Sequence, residues 1–330
     1  MATPRGTLGK FCRTASLAVA LFGAFTTSFA RAEDQKLTFG TVGQASANIW
    51  PTLIGMAKGY FAEVGIKPDL LFVPSSAALV QQLTSGSLDI SISNGLVDPM
   101  RAVGMGAPIA IVRIEVQAPP YDLVSKSAIK SLKELKGRLI SLGGPKDITR
   151  IYVERMLEPS GIKPGEFDMV FAGATAARVQ ALLAGAVDAA ILLPAYNFQA
   201  EAQGFNSLGL TVDYVKDLPF SGTAVNVAWA NANRDTLDKV LKVQNRSVAW
   251  FYDGKNRGEA IQLLKSASGL SQDDVTATYD FFHRNRFFES TGKVSRGKLA
   301  ALAKAMESLG DLPGKLDIDK VILTGIPQAD

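Results

Sequence analysis

This chain contains one histidine, His283, and one cysteine, Cys12. Cys12 lies in a leader expected to be removed. Thiol catalysis and a histidine-rich metal site are therefore not expected in the remaining chain. What is left for chemistry is hydroxyls, amides and a few cations, placed where helices begin. Helix N-termini carry unpaired N–H donors and a partial positive charge, a combination that suits anions. Four loops have this composition. One holds Gln44, Ser46 and Asn48 and leads into Trp50. The second is Ser75-Ser76. The third holds Gly144, Lys146 and Asp147, with Arg150 one turn further on. The fourth ends at Thr175. Asn94 and Tyr196 follow two apolar strand patterns and belong with them. Ser75, Ser76, Asp147 and Thr175 serve equally well as helix caps. Trp50 and Tyr121 fit either a ligand stack or the core. Arg178 fits a solvated helix face. Arg113 stands among apolar residues, where it pairs with Glu115 or reaches a cleft. His283, in Phe281-Phe282-His283-Arg284, reads as packing. The Gly143-Gly144 loop lacks the Gly-Lys-Ser/Thr ending of a nucleotide-binding loop, so ATP hydrolysis is not expected.

The elements that must position these residues come in two matching sets. Gly65-Ile66-Lys67-Pro68 recurs as Gly161-Ile162-Lys163-Pro164. Gln81, Leu83, Gly86 and Asp89 recur as Gln180, Leu182, Gly185 and Asp188. An offset of 96–99 residues is too long for a solenoid repeat of about 20–50. It predicts two similar α/β lobes with a cleft between them, where small ligands bind. Strand patterns cover 36–42, 70–73, 88–92 and 108–114, with a turn at Asn94-Gly95. Helical patterns cover 49–61 and 76–83, and another follows the turn. Past Pro119-Pro120 the same alternation restarts. Strands are expected at 121–125, 138–142, 169–171 and 189–193, and helices at 148–157, 176–183 and 196–202. Alternation of this kind implies largely parallel sheets covered on both faces. A strand over 225–230 is expected to return to the first lobe, and helices follow at 236–252, 258–266, 273–282 and 298–309. Two passages between lobes, near 117–120 and 222–225, would form a hinge. The resulting organisation is a leader at 1–32, lobe one from 33–117 and 225–330, and lobe two from 118–224.

Arg5, Lys10 and Arg13 precede an apolar run over 17–25, and Ala30-Arg31-Ala32 fits a small-x-small cleavage site. Export by the general secretion route and cleavage near Ala32 are expected, which places the mature chain in the periplasm. The leader carries four cations and no acid, so the net charge of +4 falls to about zero without it. The basic balance thus gives no reason to expect nucleic acid or membrane as a partner. Roughly 300 residues suffice for two cores.

Four stretches carry a family resemblance: IWPTLIGMAKGYFAEVGIKPDL at 49–70, QQLTSGSLDISISN at 81–94, SLKELKGRLISLGG at 131–144 and VQALLAGAVDAAIL at 179–192. Together they make the chain resemble a periplasmic solute-binding protein of an ABC importer, in the nitrate, sulfonate, taurine and thiamine-precursor branch. The resemblance implies the type II two-lobe fold, a monomer, a permease in the inner membrane as partner and no cofactor. It implies capture of a small solute by lobe closure, not catalysis. Gly143-Gly144-Pro145-Lys146-Asp147 departs from the family's usual Gly/Ser/Thr run, so no single family ligand carries over. A small organic anion is expected, a sulfonate or carboxylate with or without an aromatic part. The alternatives are a pyrimidine-type thiamine precursor as ligand, an enzyme on the same fold, or a sensory module that presents its ligand to a membrane receptor. Enzymes of that resemblance use histidine as a reactive group, and this chain is poor in it.

Overall fold

The computed structural model describes residues 34–42, 46–73, 75–312 and 314–329. The expected leader and Gln44 lie outside the described residues. Strand β1 (Gln35–Val42) leads to helices α1 (Trp50–Ala57) and α2 (Tyr60–Glu63), with Pro51 in the first turn of α1. The helix expected over 49–61 is thus broken, because Gly59 takes a left-handed φ of 72°. Strand β2 (Ile66–Val73), helix α3 (Ser76–Ser85), strand β3 (Ile90–Gly95), helix α4 (Val97–Gly104) and strand β4 (Ile109–Val116) follow. The chain then passes to a second sheet. It contains β5 (Asp122–Ser125), β6 (Leu139–Leu142), β7 (Asp168–Phe171), β8 (Ala189–Leu192) and β9 (Asn206–Leu210). Helices α5 (Thr149–Leu157), α6 (Thr175–Leu183) and α7 (Tyr196–Glu201) connect them, and α8 (Val212–Val215) leads out.

Strand β10 (Ser221–Asn226) returns to the first sheet. It lies upstream of the stretch expected over 225–230. The reason is local: the Asn226 side chain accepts from Trp229 N at 3.0 Å and so caps a helix, α9 (Val227–Ala232). Helices α10 (Arg234–Tyr252), α11 (Arg257–Ser268), α12 (Gln272–Arg284) and α13 (Arg296–Ser308) complete the main helical layer.

The sheet orders explain the sequence repeat. The first runs β2-β1-β3-β10-β4 and the second β7-β6-β8-β5-β9. In each, three parallel strands keep the same relative order, and the antiparallel neighbour is the strand that has just crossed from the other sheet. The repeated glycines sit at equivalent turns. Gly65 and Gly161 have φ of 72° and 78°, and Gly86 and Gly185 end α3 and α6 at 74° and 72°. An L side chain is strained there, which is why glycine recurs. Asn94-Gly95 forms no turn; both residues pair with β10 as part of β3.

Candidate functional site

Two adjoining cavities open where β1, β3, β6 and β8 end, and both sheets contribute to each. The first, of about 390 Å³, is the more polar of the two. Ser46, Asn48, Ser76, Ser93, Asn94 and Arg101 line it from the first sheet's side, and Tyr121, Lys146 and Asp147 from the second's. The other, of about 290 Å³, is mainly apolar, with Ala47, Ala174, Thr175, Pro194, Tyr196, Leu270 and Phe282 in its walls. Ser46, Asn48 and Leu193 border both.

Local hydrogen bonds set the polar wall. Ser46 Oγ accepts from Asn48 N at 3.4 Å, and Ser93 Oγ lies 2.7 Å from the Asn48 carbonyl. Ser75 caps α3 by accepting from Ala78 N at 3.2 Å, and it lines neither cavity. The neighbouring Ser76 faces the polar cavity, and its buried Oγ has no partner among the described residues. Asn94 is 1% exposed, and both polar atoms of its amide are likewise without a partner. Buried amide groups of this kind cost about 1–3 kcal/mol each when left unpaired. A ligand in the cavity would remove that cost.

The charged loop of the second sheet behaves less simply than its composition implies. Asp147 Oδ1 accepts from Thr149 N at 2.8 Å and Thr149 Oγ1 at 2.6 Å, so it holds the first residue of α5 from the turn before the helix while facing the cavity. Gly144 supports this turn, its carbonyl accepting from Asp147 N at 3.1 Å, and does not itself line either cavity. Lys146 lines the cavity but spans it, donating to the Gly310 carbonyl at 3.2 Å. Arg101 is committed to Asp98 and Asp311.

Two expected ligand contacts are not available. Trp50 is fully buried, packed against Phe251 and Phe282 at centroid distances of 6.5 and 6.1 Å. It therefore belongs to the core beneath the C-terminal helices. Arg150 bonds Glu154 at 2.7 Å one turn along α5 and lines neither cavity. A carboxylate four residues away on the same helix face captured it.

The cation that sequence reasoning placed on a solvated face is buried instead. Arg178 is 3% exposed. It donates to Thr175 Oγ1 at 2.6 Å, and its guanidinium carbon lies 5.5 Å from the centroid of the Tyr121 ring. Thr175 lines the apolar cavity and Tyr121 the polar one; Arg178 contacts both residues from behind and itself lines neither cavity. It has no ion pair and its Nε has no partner among the described residues. The available signal was Thr175-x-x-Arg178, which sets both side chains on one face of the first turn of α6. Burial pushes the Tyr121 hydroxyl above its ordinary pKa, against the pull of Arg178. Tyr121 therefore stays a neutral donor.

Arg113 and Glu115 are both buried on β4. Arg113 donates to Asn245 Oδ1 and to the Glu289 carbonyl at 2.8 Å, so it turns from the cleft. Glu115 meets Ser93 and Thr223. His283 stacks on Tyr279 at 5.6 Å in the aromatic core and lines neither cavity.

A family model described as NMT1/THI5 like matches residues 46–256, which is most of both sheets. The chain belongs to this family. Its fold is that of the periplasmic aliphatic sulphonate binding protein SsuA from Escherichia coli. That protein is 21% identical, with 90% of this chain and 94% of that chain covered at a TM-score of 0.72. The alkanesulfonate-binding protein SsuA from Xanthomonas axonopodis pv. citri, bound to MOPS, is 20% identical. The match covers 88% of this chain and 99% of that chain at a TM-score of 0.70. Both bear out the two-lobe α/β architecture. Among curated proteins, the Saccharomyces cerevisiae 4-amino-5-hydroxymethyl-2-methylpyrimidine phosphate synthase THI5 is 23% identical over 159 residues, 47% of this chain and 45% of the relative. The match thus spans less than half the length of that relative.

Proposed function

We propose that this protein is the solute-binding component of an ABC-type importer and that it captures a small organic acid, a carboxylate or sulfonate with an apolar part. Arg178 carries the reading. A buried guanidinium without a carboxylate is costly, and a ligand anion at the junction of the cavities is the counter-charge it lacks. The apolar cavity beside it suits a hydrocarbon or aromatic portion. Ser46, Asn48, Ser76 and Asn94 from one wall, and Asp147, Thr175 and Tyr196 from the other, would complete the contacts. The bodies that close would be 33–117 with the C-terminal part, and the part between the passages, the second passage falling just before Ser221. Export, cleavage near Ala32, a periplasmic location, a single-copy state and delivery to a membrane permease belong to the same proposal.

One observation favours an uncharged ligand. The unpartnered Asn94 amide offers a donor and an acceptor side by side, the pattern an aminopyrimidine edge presents. An enzyme would need a reactive group in the cleft, and His283 is half-buried against Tyr279, away from both cavities. A thermal-shift panel separates these readings. It should hold aliphatic and aromatic carboxylates, sulfonates, nitrate and aminopyrimidines. A true ligand at ~100 times its dissociation constant adds about 2.7 kcal/mol. Stabilisation by organic acids supports the proposal. Stabilisation by pyrimidines alone overturns it.

A further inference from the structure

Strand β4 is buried along its whole length, yet it carries Arg113 and Glu115 two residues apart on one face. Glu115 is 3% exposed. Its two oxygens meet Ser93 Oγ on β3 and Thr223 Oγ1 on β10. Ser93 has a left-handed φ of 57°, an uncommon backbone state outside glycine, and this directs its hydroxyl between two acceptors. One is the Glu115 carboxyl. The other is the Asn48 carbonyl at 2.7 Å. A serine hydroxyl has one hydrogen. If Glu115 were ionised, one of the two close oxygen–oxygen contacts would have no proton in it.

We propose that Glu115 is a positioning residue of the cleft: as a neutral acid it donates to Ser93, Ser93 donates to the Asn48 carbonyl, and Thr223 donates back to Glu115. One side chain then ties β3, β4 and β10 to the Ser46–Asn48 loop that borders both cavities. The strands it joins include the two that lead into and out of the passages between the sheets.

Arg113, on its own strand, is the charged group that acts on it, and Glu289 in turn acts on Arg113. Arg113 feels the charge of both Glu115 and Glu289, and its own hydrogen bonds go to Asn245 Oδ1 and the Glu289 carbonyl rather than to the Glu115 carboxyl. Glu289 accepts from Thr291 N and Gly292 N at 2.7 Å each and from Thr291 Oγ1 at 2.5 Å, the donor set of an ionised carboxylate. Burial is the largest influence on Glu115 and raises its pKa, against Ser93, Thr223 and Arg113, which lower it. The consequence for ligand capture rests on the cavities being the binding site. The test below uses the ligand-free protein and does not.

Glu115→Gln keeps a donor for Ser93 and an acceptor for Thr223 but cannot ionise. Glu115→Leu keeps the bulk and loses both. Thermal unfolding of the parent and Glu115→Gln is followed from pH 5 to 9. An acid with a raised folded-state pKa loses stability as pH rises above its unfolded value. The parent should therefore fall relative to Glu115→Gln as pH rises. Amide exchange in the peptide covering 46–50 should match the parent in Glu115→Gln and run about 5- to 10-fold faster in Glu115→Leu, the worth of one buried hydrogen bond. If Glu115→Leu does not fold, the Glu115→Gln comparison decides alone. A constant offset between parent and Glu115→Gln across pH, or a Glu115→Gln protein that unfolds readily, makes Glu115 the ionised partner of Arg113 and overturns the proposal.

Discussion

Replacing Arg178 by leucine should leave the empty protein as stable as before, or more stable, and remove acid binding. The empty protein loses one hydrogen bond to Thr175, worth about 1 kcal/mol. It also loses the approach to Tyr121, worth about 0.5–2 kcal/mol. Against this stands the penalty of keeping a guanidinium in a site 3% exposed with no carboxylate beside it. That penalty is several kcal/mol per ion even after relaxation. The balance predicts no loss of stability without ligand. Binding moves the other way, because a charge-assisted hydrogen bond to the ligand contributes about 1.5–3 kcal/mol, or roughly 10- to 150-fold in dissociation constant. Denaturant unfolding of the empty protein and calorimetry with an acid found in the thermal-shift panel read the two effects separately. Arg178→Lys should recover the affinity only in part, since an ammonium cannot make the planar two-pronged contact. A leucine variant that loses more than about 2 kcal/mol when empty and still binds the acid as the parent does would show that Arg178 is structural.

Three further outcomes follow from the same geometry. Asp122 is buried beside Ser207, Asn197 and Glu201, and its pKa is raised mainly by burial, to about 7. Its contribution to stability is full below the unfolded value near 4 and declines as pH rises toward 7, by on the order of 4 kcal/mol; Asp122→Asn should flatten the pH dependence of unfolding in that window, and an unchanged slope would mean the carboxyl is ionised throughout. Arg150→Ala should bind the acid as the parent does and lose only about 0.3–0.5 kcal/mol of helix pairing with Glu154, whereas a marked loss of affinity in calorimetry would return Arg150 to the site. Ser76→Ala should weaken binding by about 1 kcal/mol with no loss of melting temperature, because its hydroxyl has no partner among the described residues of the empty protein; a destabilised variant would place that hydroxyl in the fold's own bonding.

The repeat was enough to read two lobes of like topology, because the glycines that end α3 and α6 and those at the turns before β2 and β7 adopt a left-handed backbone. Local rules also located the helix starts that face the cleft. They failed where a distant partner decided the outcome. Asn94-Gly95 carries a turn signal, yet β10 supplies it with strand partners more than a hundred residues away. Trp50 follows a polar loop, and nothing near it reveals that Phe251 and Phe282 will cover it. Arg150 and Arg178 occupy comparable places near the starts of α5 and α6. Glu154 captures the first at helix spacing, a fact readable from sequence. The second is buried by Tyr121, which enters from the crossing segment, and no local pattern announces that.

On the proposed binding role, closure of the cleft would be a balance that the ligand tips. Among the described residues, the contacts between its walls include several that are individually weak. Lys146 reaches the Gly310 carbonyl at 3.2 Å, Gln199 reaches Asp274 at 3.3 Å, and Phe198 meets Phe281 edge-on at 5.8 Å. The two hydrogen bonds are exposed and worth about 0.5–1.5 kcal/mol each at most, and the aromatic pair about 0.5–1.5. A ligand bound with micromolar affinity brings about 8 kcal/mol. It shifts the equilibrium only by the part of that energy realised when both walls touch it. Asn94 and Ser76 stand on one wall and Thr175 on the other, with Arg178 behind Thr175. A molecule long enough to reach from the amide to the guanidinium gains both sets of contacts only when the cleft is shut, so its length matters to closure as much as its charge.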